Sequence, residues 1–161
     1  MAKAGIQFQK KDQWSTPKEV VDFFGPFDYD PATTKEQAKY LGIPNYDTIK
    51  TDGLRPDWRK YKCIWLNPPF SRKFEFLSKT VWTAMYSHST KIFYLCPAET
   101  ITTKKFHEIV GGQPYRMWIP NGRIKFDDGS GKSSSPAFGS IVLEFGRHIV
   151  GTEIRHWRLD G

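Results

Sequence analysis

The sequence predicts an α/β fold: an open sheet with flanking helices, built as a single compact domain. Three observations carry this expectation. Short apolar runs at residues 63–66, 91–97 and 138–145 read as buried strands. Segments with apolar residues at helical spacing alternate with them, which is the pattern of strands connected through helices. At 161 residues, with 39% hydrophobic and 16% aromatic side chains, the chain can bury one sizeable core without disulfide or metal staples.

Taken in order, residues 1–13 read as a flexible basic arm and residues 14–161 as the folded domain. Thr16 suits a helix N-cap, Pro17 the first helical position, and Glu19 completes a capping box. Val20, Val21, Phe23 and Phe24 give that helix an apolar face, and Gly25-Pro26 end it. Phe27-Asp28-Tyr29-Asp30-Pro31-Ala32 reads as a brief strand stopped by an acid and a proline. A short helix over 35–42 and a connection over 43–50 follow, then a turn at Thr51-Asp52-Gly53-Leu54. Residues 55–62, carrying Trp58 as core or pocket wall, lead into the strand at 63–66.

That strand ends in Asn67-Pro68-Pro69-Phe70. Prolines cannot donate to a sheet ladder, and Pro69 biases Pro68 toward an extended backbone, so the turn is stiff. Residues 71–86 form a helix in which Phe74, Leu77, Val81 and Met85 recur at core spacing. After the strand at 91–97, a helix over 103–110 is stopped by Gly111-Gly112. Residues 115–119 and 123–126 flank Pro120-Asn121-Gly122, a hairpin signal. A polar Gly/Ser loop over 127–136, the strand at 138–145 and an edge strand at 154–158 complete the chain.

Several function classes are disfavoured. No apolar stretch is long enough to span a bilayer, and residues 1–11 lack a signal-peptide core, so the expected location is the cytoplasm. Cys63 and Cys96 lie inside apolar runs, as reduced thiols without metal spacing. His88, His107, His148 and His156 form no metal or nucleophile pattern. Gly131-Lys132-Ser133 imitates a phosphate loop, but Phe126 stands where that motif needs glycine and no helix follows. The net charge of +7 and pI near 9.4 favour a polyanionic partner.

The stiff turn carries specific chemistry. The Asn67 amide oxygen and the Pro68 carbonyl are two acceptors side by side, matching the two hydrogens of an NH2 group. Phe70 offers a flat face to a planar ring. This set suits methylation of an exocyclic amine and resembles the motif of amino-methyltransferases, which move a methyl group from S-adenosylmethionine to adenine N6, cytosine N4 or a glutamine amide. Around it stand Trp14-x-Thr16-Pro17, Phe27-x-x-Asp30-Pro31-Ala32, Asp52-Gly53-Leu54, Leu95-x-Pro97 and Gly122-Arg123-Ile124-x-Phe126. In that order they resemble the phage-type DNA N6-adenine methyltransferase (Dam-like) family, over nearly the whole chain from Trp14 to Phe145. Phe70 stands where tyrosine is common, and Thr33-Thr34-Lys35-Glu36 replaces the usual glycine-rich loop.

The resemblance implies a Rossmann-like sheet of methyltransferase type and transfer to adenine N6 on a base flipped out of the duplex. Asn67, Pro68, Pro69 and Phe70 would be catalytic. Trp14, Thr16, Pro17, Asp30, Pro31, Ala32, Asp52 and Gly53 would hold S-adenosylmethionine, Asp30 pairing with its ammonium and Asp52 lying beside its adenine. The implied partner is double-stranded DNA, in a phage-infected or prophage-carrying bacterial host, with no metal required. Ser71, Arg72 and Lys73, whose two cations oppose the helix dipole, and Lys104, Lys105, Arg123, Lys125 and Lys132 are the candidate nucleic-acid contacts. RNA, cytosine N4, a protein glutamine, or a nucleic-acid-binding relative without catalysis are the alternatives. With no separate recognition domain, weak target specificity is expected.

Overall fold

Period-two alternation in the long strands sends apolar side chains to both faces of one sheet. A computed structural model of the chain describes residues 15–127, 133–134 and 138–159. Its strands are β1 (Tyr29–Asp30), β2 (Asn45–Tyr46), β3 (Cys63–Leu66), β4 (Lys91–Pro97), β5 (Arg116–Pro120), β6 (Phe126–Asp127), β7 (Ser133–Ser134), β8 (Ser140–Phe145) and β9 (Glu153–Trp157). Seven of them form one sheet in the order β2-β1-β3-β4-β8-β5-β9. Of these seven, β8 alone runs against the others, pairing antiparallel with both β4 and β5. The arrangement is a Rossmann-like α/β sheet.

The helices are α1 (Lys18–Phe24), α2 (Lys35–Leu41), α3 (Lys73–Tyr86) and α4 (Lys104–Val110). Ile64 and Leu66 of β3, Ile92, Tyr94 and Cys96 of β4, and Leu143 of β8 pack with Phe76, Leu77 and Val81 of α3 and Phe106 of α4. Their strand neighbours Trp65, Phe93, Leu95 and Val142 face the other way, onto Val20 and Val21 of α1 and Leu41 of α2. One helix pair thus covers each face, which is why these strands read as unbroken apolar runs.

Local expectations were revised where distant contacts outweigh them. α1 starts at Lys18, its N-cap position is Pro17, and no side chain caps it; the Thr16 hydroxyl is used elsewhere. The replacement for the glycine-rich loop does work as a helix start, because Thr34 caps α2 by accepting from the Gln37 N–H at 3.1 Å. The connection over 43–50 contributes the short strand β2. α3 begins at Lys73 after a 3-10 turn at Phe70–Arg72, and Met85, expected in the core, is 46% exposed.

The hairpin expected around Pro120-Asn121-Gly122 does not form. β5 lies between β8 and β9. The Asn121 N–H donates to the Trp157 carbonyl, and Asn121 Oδ1 accepts from the Leu159 N–H. Those bonds tie the turn to β9 rather than to residues 123–126, and β6 pairs with β7 instead. The last strand is Glu153–Trp157, parallel to β5 at the sheet edge. No helix among the described residues is long and apolar enough to cross a membrane.

Candidate active site

The site is set by two neighbouring strand ends. β1 and β3 are parallel and in register, Tyr29 opposite Ile64. From β1 the chain runs outward through α2 to β2, whereas from β3 it runs through α3 to β4 on the other side. Connections that diverge this way leave a crevice beyond the strand ends, where open α/β sheets bind ligands.

Asp30 closes β1. It is 3% exposed, and its carboxylate accepts one hydrogen bond, from the Ala32 N–H at 3.0 Å. No cationic side chain pairs with it among the described residues. Burial pushes its pKa up to about 7, against the smaller lowering effect of the Ala32 N–H. The Asp30 carbonyl accepts from the Asp47 N–H, and the Thr33 N–H returns a bond to the Asp47 carbonyl, so the loop beyond Asp30 is tied to β2.

The 51–54 turn packs directly on this strand end. A Cβ at Gly53 would lie 1.8 Å from the Pro31 carbonyl oxygen; only glycine allows the two backbones to touch. Trp58, wholly buried in the core, donates from Nε1 to the Gly53 carbonyl at 2.7 Å, and Lys79 Nζ donates to the Leu54 carbonyl at 2.5 Å. Asp52 takes a positive φ of 61° and accepts from the Leu54 N–H at 3.1 Å. A non-glycine residue held in that left-handed region stores strain that the surrounding contacts must offset.

Beyond β3, Pro68 and Pro69 are buried, while Asn67 and Phe70 are half-buried. Pro69 accepts the Arg72 N–H at 3.0 Å, closing the turn. Asn67 donates from Nδ2 to the Thr16 hydroxyl at 3.0 Å, and Gln37 Nε2 donates to the Thr16 carbonyl at 3.1 Å. Pro69 walls a pocket of about 220 Å³ shared with Pro31, Ala32, Asp52, Gly53 and Phe76. Asn67 and Phe70 instead line an almost closed apolar slot of about 10 Å³ with Pro97, Phe126, Phe138 and Ser140. There the Phe138 ring meets Phe70 edge-on, centroids 5.3 Å apart.

Thr16 and Pro17 line an open groove, Pro31, Ala32, Asp52, Gly53 and Pro69 the 220 Å³ pocket, and Asn67 and Phe70 the closed slot. Asp30 is buried at the end of β1, and the Asn67–Thr16 bond joins the groove to the slot. Trp14 and Lys132 lie outside the described residues. Arg72 also lines the 220 Å³ pocket, its guanidinium bonded to Glu75 at 2.8 Å and 3.9 Å from Asp52. Ser71 is exposed beside it. The Lys73 and Lys105 ammonium groups both sit over the Phe74 ring, at 5.2 and 5.6 Å, joining the starts of α3 and α4 in one cationic patch next to exposed Lys104. Arg123 and Lys125 are exposed on the segment leading to β6, and Lys125 borders an open groove of about 600 Å³ with Thr16, Gln37 and Tyr40.

Sequence reasoning missed Phe76 and Phe138. Phe76 lay within a helical pattern that its neighbours already explained. Phe138 precedes a strand, with no local signal that it would reach Phe70. Neither thiol suits a nucleophile: burial pushes Cys63 up to about 11 and Cys96 to about 12. Among the described residues, no group of three or more His, Cys, Asp or Glu side chains is placed to hold a metal ion.

Fold and site together define a Rossmann-like protein with an Asn-Pro-Pro-Phe turn beside a buried carboxylate where its strand connections diverge. The chain belongs to the DNA N-6-adenine-methyltransferase (Dam) family, whose model matches residues 3–150. It is 30% identical over 145 residues to a DNA N-6-adenine-methyltransferase of Escherichia phage T1. That match covers 88% of this chain but 58% of the phage protein, so the chain spans little more than half of its relative's length. Among solved structures, a chain from a study of the type I R-M system aligns with a TM-score of 0.49 at 10% identity, covering 88% of this chain and 43% of its own length. A predicted O-methyltransferase from Agrobacterium tumefaciens aligns with a TM-score of 0.37 at 12% identity, covering 81% and 64%. At these scores the likeness adds nothing to the topology described above.

S-adenosylmethionine is the methyl donor of this family. The crevice suits such a group on its own evidence. Among the described residues Asp30 is a buried carboxylate with no cationic partner, matching the donor's ammonium. The pocket beside it is built where Gly53 lets two backbones close.

Proposed function

We propose that this chain transfers a methyl group from S-adenosylmethionine to the N6 amino group of adenine in double-stranded DNA. The observation that carries the reading is the placement of the Asn67 turn at the end of β3, next to the buried Asp30 at the end of β1. One strand end offers a site for a cationic amino acid moiety, and the other offers two acceptors for an amine.

In this reading Asp30 binds the ammonium of the cofactor, and Pro31, Ala32, Asp52 and Gly53 wall its pocket. When bound, the cofactor supplies an activated methyl group and its own leaving group, so no shifted acid or base is needed for the transfer. Asn67 Oδ1 and the Pro68 carbonyl would accept the two amino hydrogens and so fix the direction of the nitrogen lone pair. The proton that N6 loses on becoming methylated would leave to water. Phe70 stacks on the extruded purine, recovering part of the few kcal/mol spent in unstacking it. The cationic patch of Lys73, Lys104 and Lys105, together with Arg123 and Lys125, contacts phosphates, which gives affinity but little sequence information.

Incubation with methyl-labelled cofactor and, separately, duplex DNA, single-stranded DNA, RNA and protein tests the proposal. Label in duplex DNA, recovered as N6-methyladenine after digestion to nucleosides, is the expected result. Label recovered as N4-methylcytosine, or only in RNA or protein, would overturn it.

A further inference from the structure

Ser140 opens β8 and takes no part in the mechanism proposed above. Alternate side chains of a strand share one face of the sheet. Val142 of β8 stands opposite Leu95 of β4, and both pack with the helices α1 and α2. Two residues away on β8, Ser140 stands opposite Pro97 on that same face. On β3 this face carries Trp65, so Asn67, two residues on, shares it. Only β4 separates β3 from β8, which sets the two chains roughly 10 Å apart, two strand spacings.

Asn67 and Ser140 accordingly line one closed slot. Phe70, Leu95, Pro97, Phe126 and Phe138 also line it and bring no hydrogen-bonding side chain. Cys96 belongs with the core on the opposite face. Ser140 is 5% exposed, and no hydrogen bond joins its hydroxyl to another described residue. A buried hydroxyl without a partner has given up its bonds to water for nothing in return, and such a group calls for an explanation. Alanine would fill the same place on β8 without that cost. What borders the hydroxyl is the slot that, on the reading above, admits the target base.

A hydroxyl can donate as well as accept, and here the base decides which. With both N6 hydrogens taken by the 67–68 acceptors, the polar atoms left in the rings of adenine are acceptors: N1, N3 and N7. A hydroxyl that meets one of them must donate. We propose that Ser140 is a base-recognition residue, its hydroxyl donating a hydrogen bond to a ring nitrogen of the flipped adenine. The proposal rests on the adenine reading above and deepens it. The amine alone leaves the ring free to pivot in its own plane; a second polar contact fixes that angle and so aims N6.

The test uses duplex oligonucleotides in which one target adenine, mapped beforehand as N6-methyladenine, is replaced by 1-deaza-, 3-deaza- or 7-deazaadenine. Each analogue exchanges one ring nitrogen for C–H and keeps the amine. kcat/KM is measured for the unaltered protein and for Ser140→Ala, with cofactor Kd by calorimetry and melting temperature alongside. The unaltered protein is expected to lose about tenfold on at least one analogue, the loss of one hydrogen bond. Ser140→Ala should lose about as much on adenine itself and nothing further on that analogue. Its cofactor Kd should stay within about twofold, and it should melt no lower than the unaltered protein, since it sheds an unpaired hydroxyl.

The same analogue penalties in both proteins would overturn the proposal, as would full activity of Ser140→Ala on adenine. A variant that melts markedly lower, or does not fold, would show the hydroxyl bonded within the fold and overturn it as well. N6-methyladenine absent from every product of the unaltered protein would sink the functional reading and this contact with it. Methylation indifferent to all three analogues would sink the contact alone.

Discussion

The turn at residues 67–70 has two unlike sides. Toward Pro69 there is standing room of about 220 Å³, and the 51–54 turn on its wall is braced through its backbone: Gly53 is pressed on the Pro31 carbonyl, and Trp58 and Lys79 bond the carbonyls of residues 53 and 54. Toward Phe70 only about 10 Å³ is left, between aromatic and proline side chains, with Phe138 edge-on to the plate that would receive a base. Backbone contacts of this kind are hard to rearrange, whereas a ring can change rotamer on a short timescale. On the reading proposed above, the difference teaches that the cofactor side is preformed and the base side would be opened by its guest.

Four substitutions break or sharpen that contrast. Asn67→Ala should remove the adjustable acceptor from the junction of both sides, lowering kcat by about 10²- to 10³-fold with little change in cofactor affinity by calorimetry. Asp30→Asn should weaken cofactor binding by about 10- to 100-fold through loss of a charged hydrogen bond.

The same residue gives the cofactor side a pH signature. The folded, unliganded protein holds the Asp30 proton up to about pH 7, against an ordinary value of 3.8. Between those values the folded state binds more protons than the unfolded one, so stability falls as pH rises from 3.8 to 7 and levels off above. Melting temperatures across that range should show this fall, and Asp30→Asn should flatten it and melt higher at pH 8. If Asp30 holds the ammonium as proposed, cofactor affinity should run the other way, dropping as pH falls through 7.

Gly53→Ala attacks the preformed frame itself. The added methyl must displace the Pro31 backbone, so a loss of about 1–3 kcal/mol in denaturant melts is expected, with weakened cofactor binding and no selective effect on DNA. The smallest change is expected from Phe138→Ala. Removing one edge-on aromatic contact should ease base entry and raise kcat/KM on duplex DNA by about two- to tenfold, leaving cofactor affinity unmoved. A fall in kcat/KM instead would show that Phe138 helps hold the base and that the closed slot is not a gate.

Much of the frame was legible because strands buried on both faces leave a clear mark. The runs ending at Leu66 and Pro97, and the acid-proline stop at Asp30, gave the strand ends that define the crevice. What could not be read were choices decided by distant partners. Thr16-Pro17-x-Glu19 satisfies every local rule for a capping box, yet the hydroxyl is claimed by Asn67. Pro120-Asn121-Gly122 has the composition of a hairpin turn, but the Trp157 carbonyl and the Leu159 N–H claim Asn121 for β9. Gly53 looked like ordinary turn chemistry, since nothing near it in sequence shows that Pro31 will sit against it. Phe70 was read as an open plate because the ring that meets it arrives from residue 138.

The bond between Asn67 and Thr16 also bears on how such a corner can be transplanted. A peptide or graft carrying only Asn-Pro-Pro-Phe and its strand would copy the letters but leave behind the hydroxyl that the Asn67 amide bonds. To carry that contact into another scaffold, a designer would have to import a hydroxyl from a second strip of chain and the glutamine bonded to it.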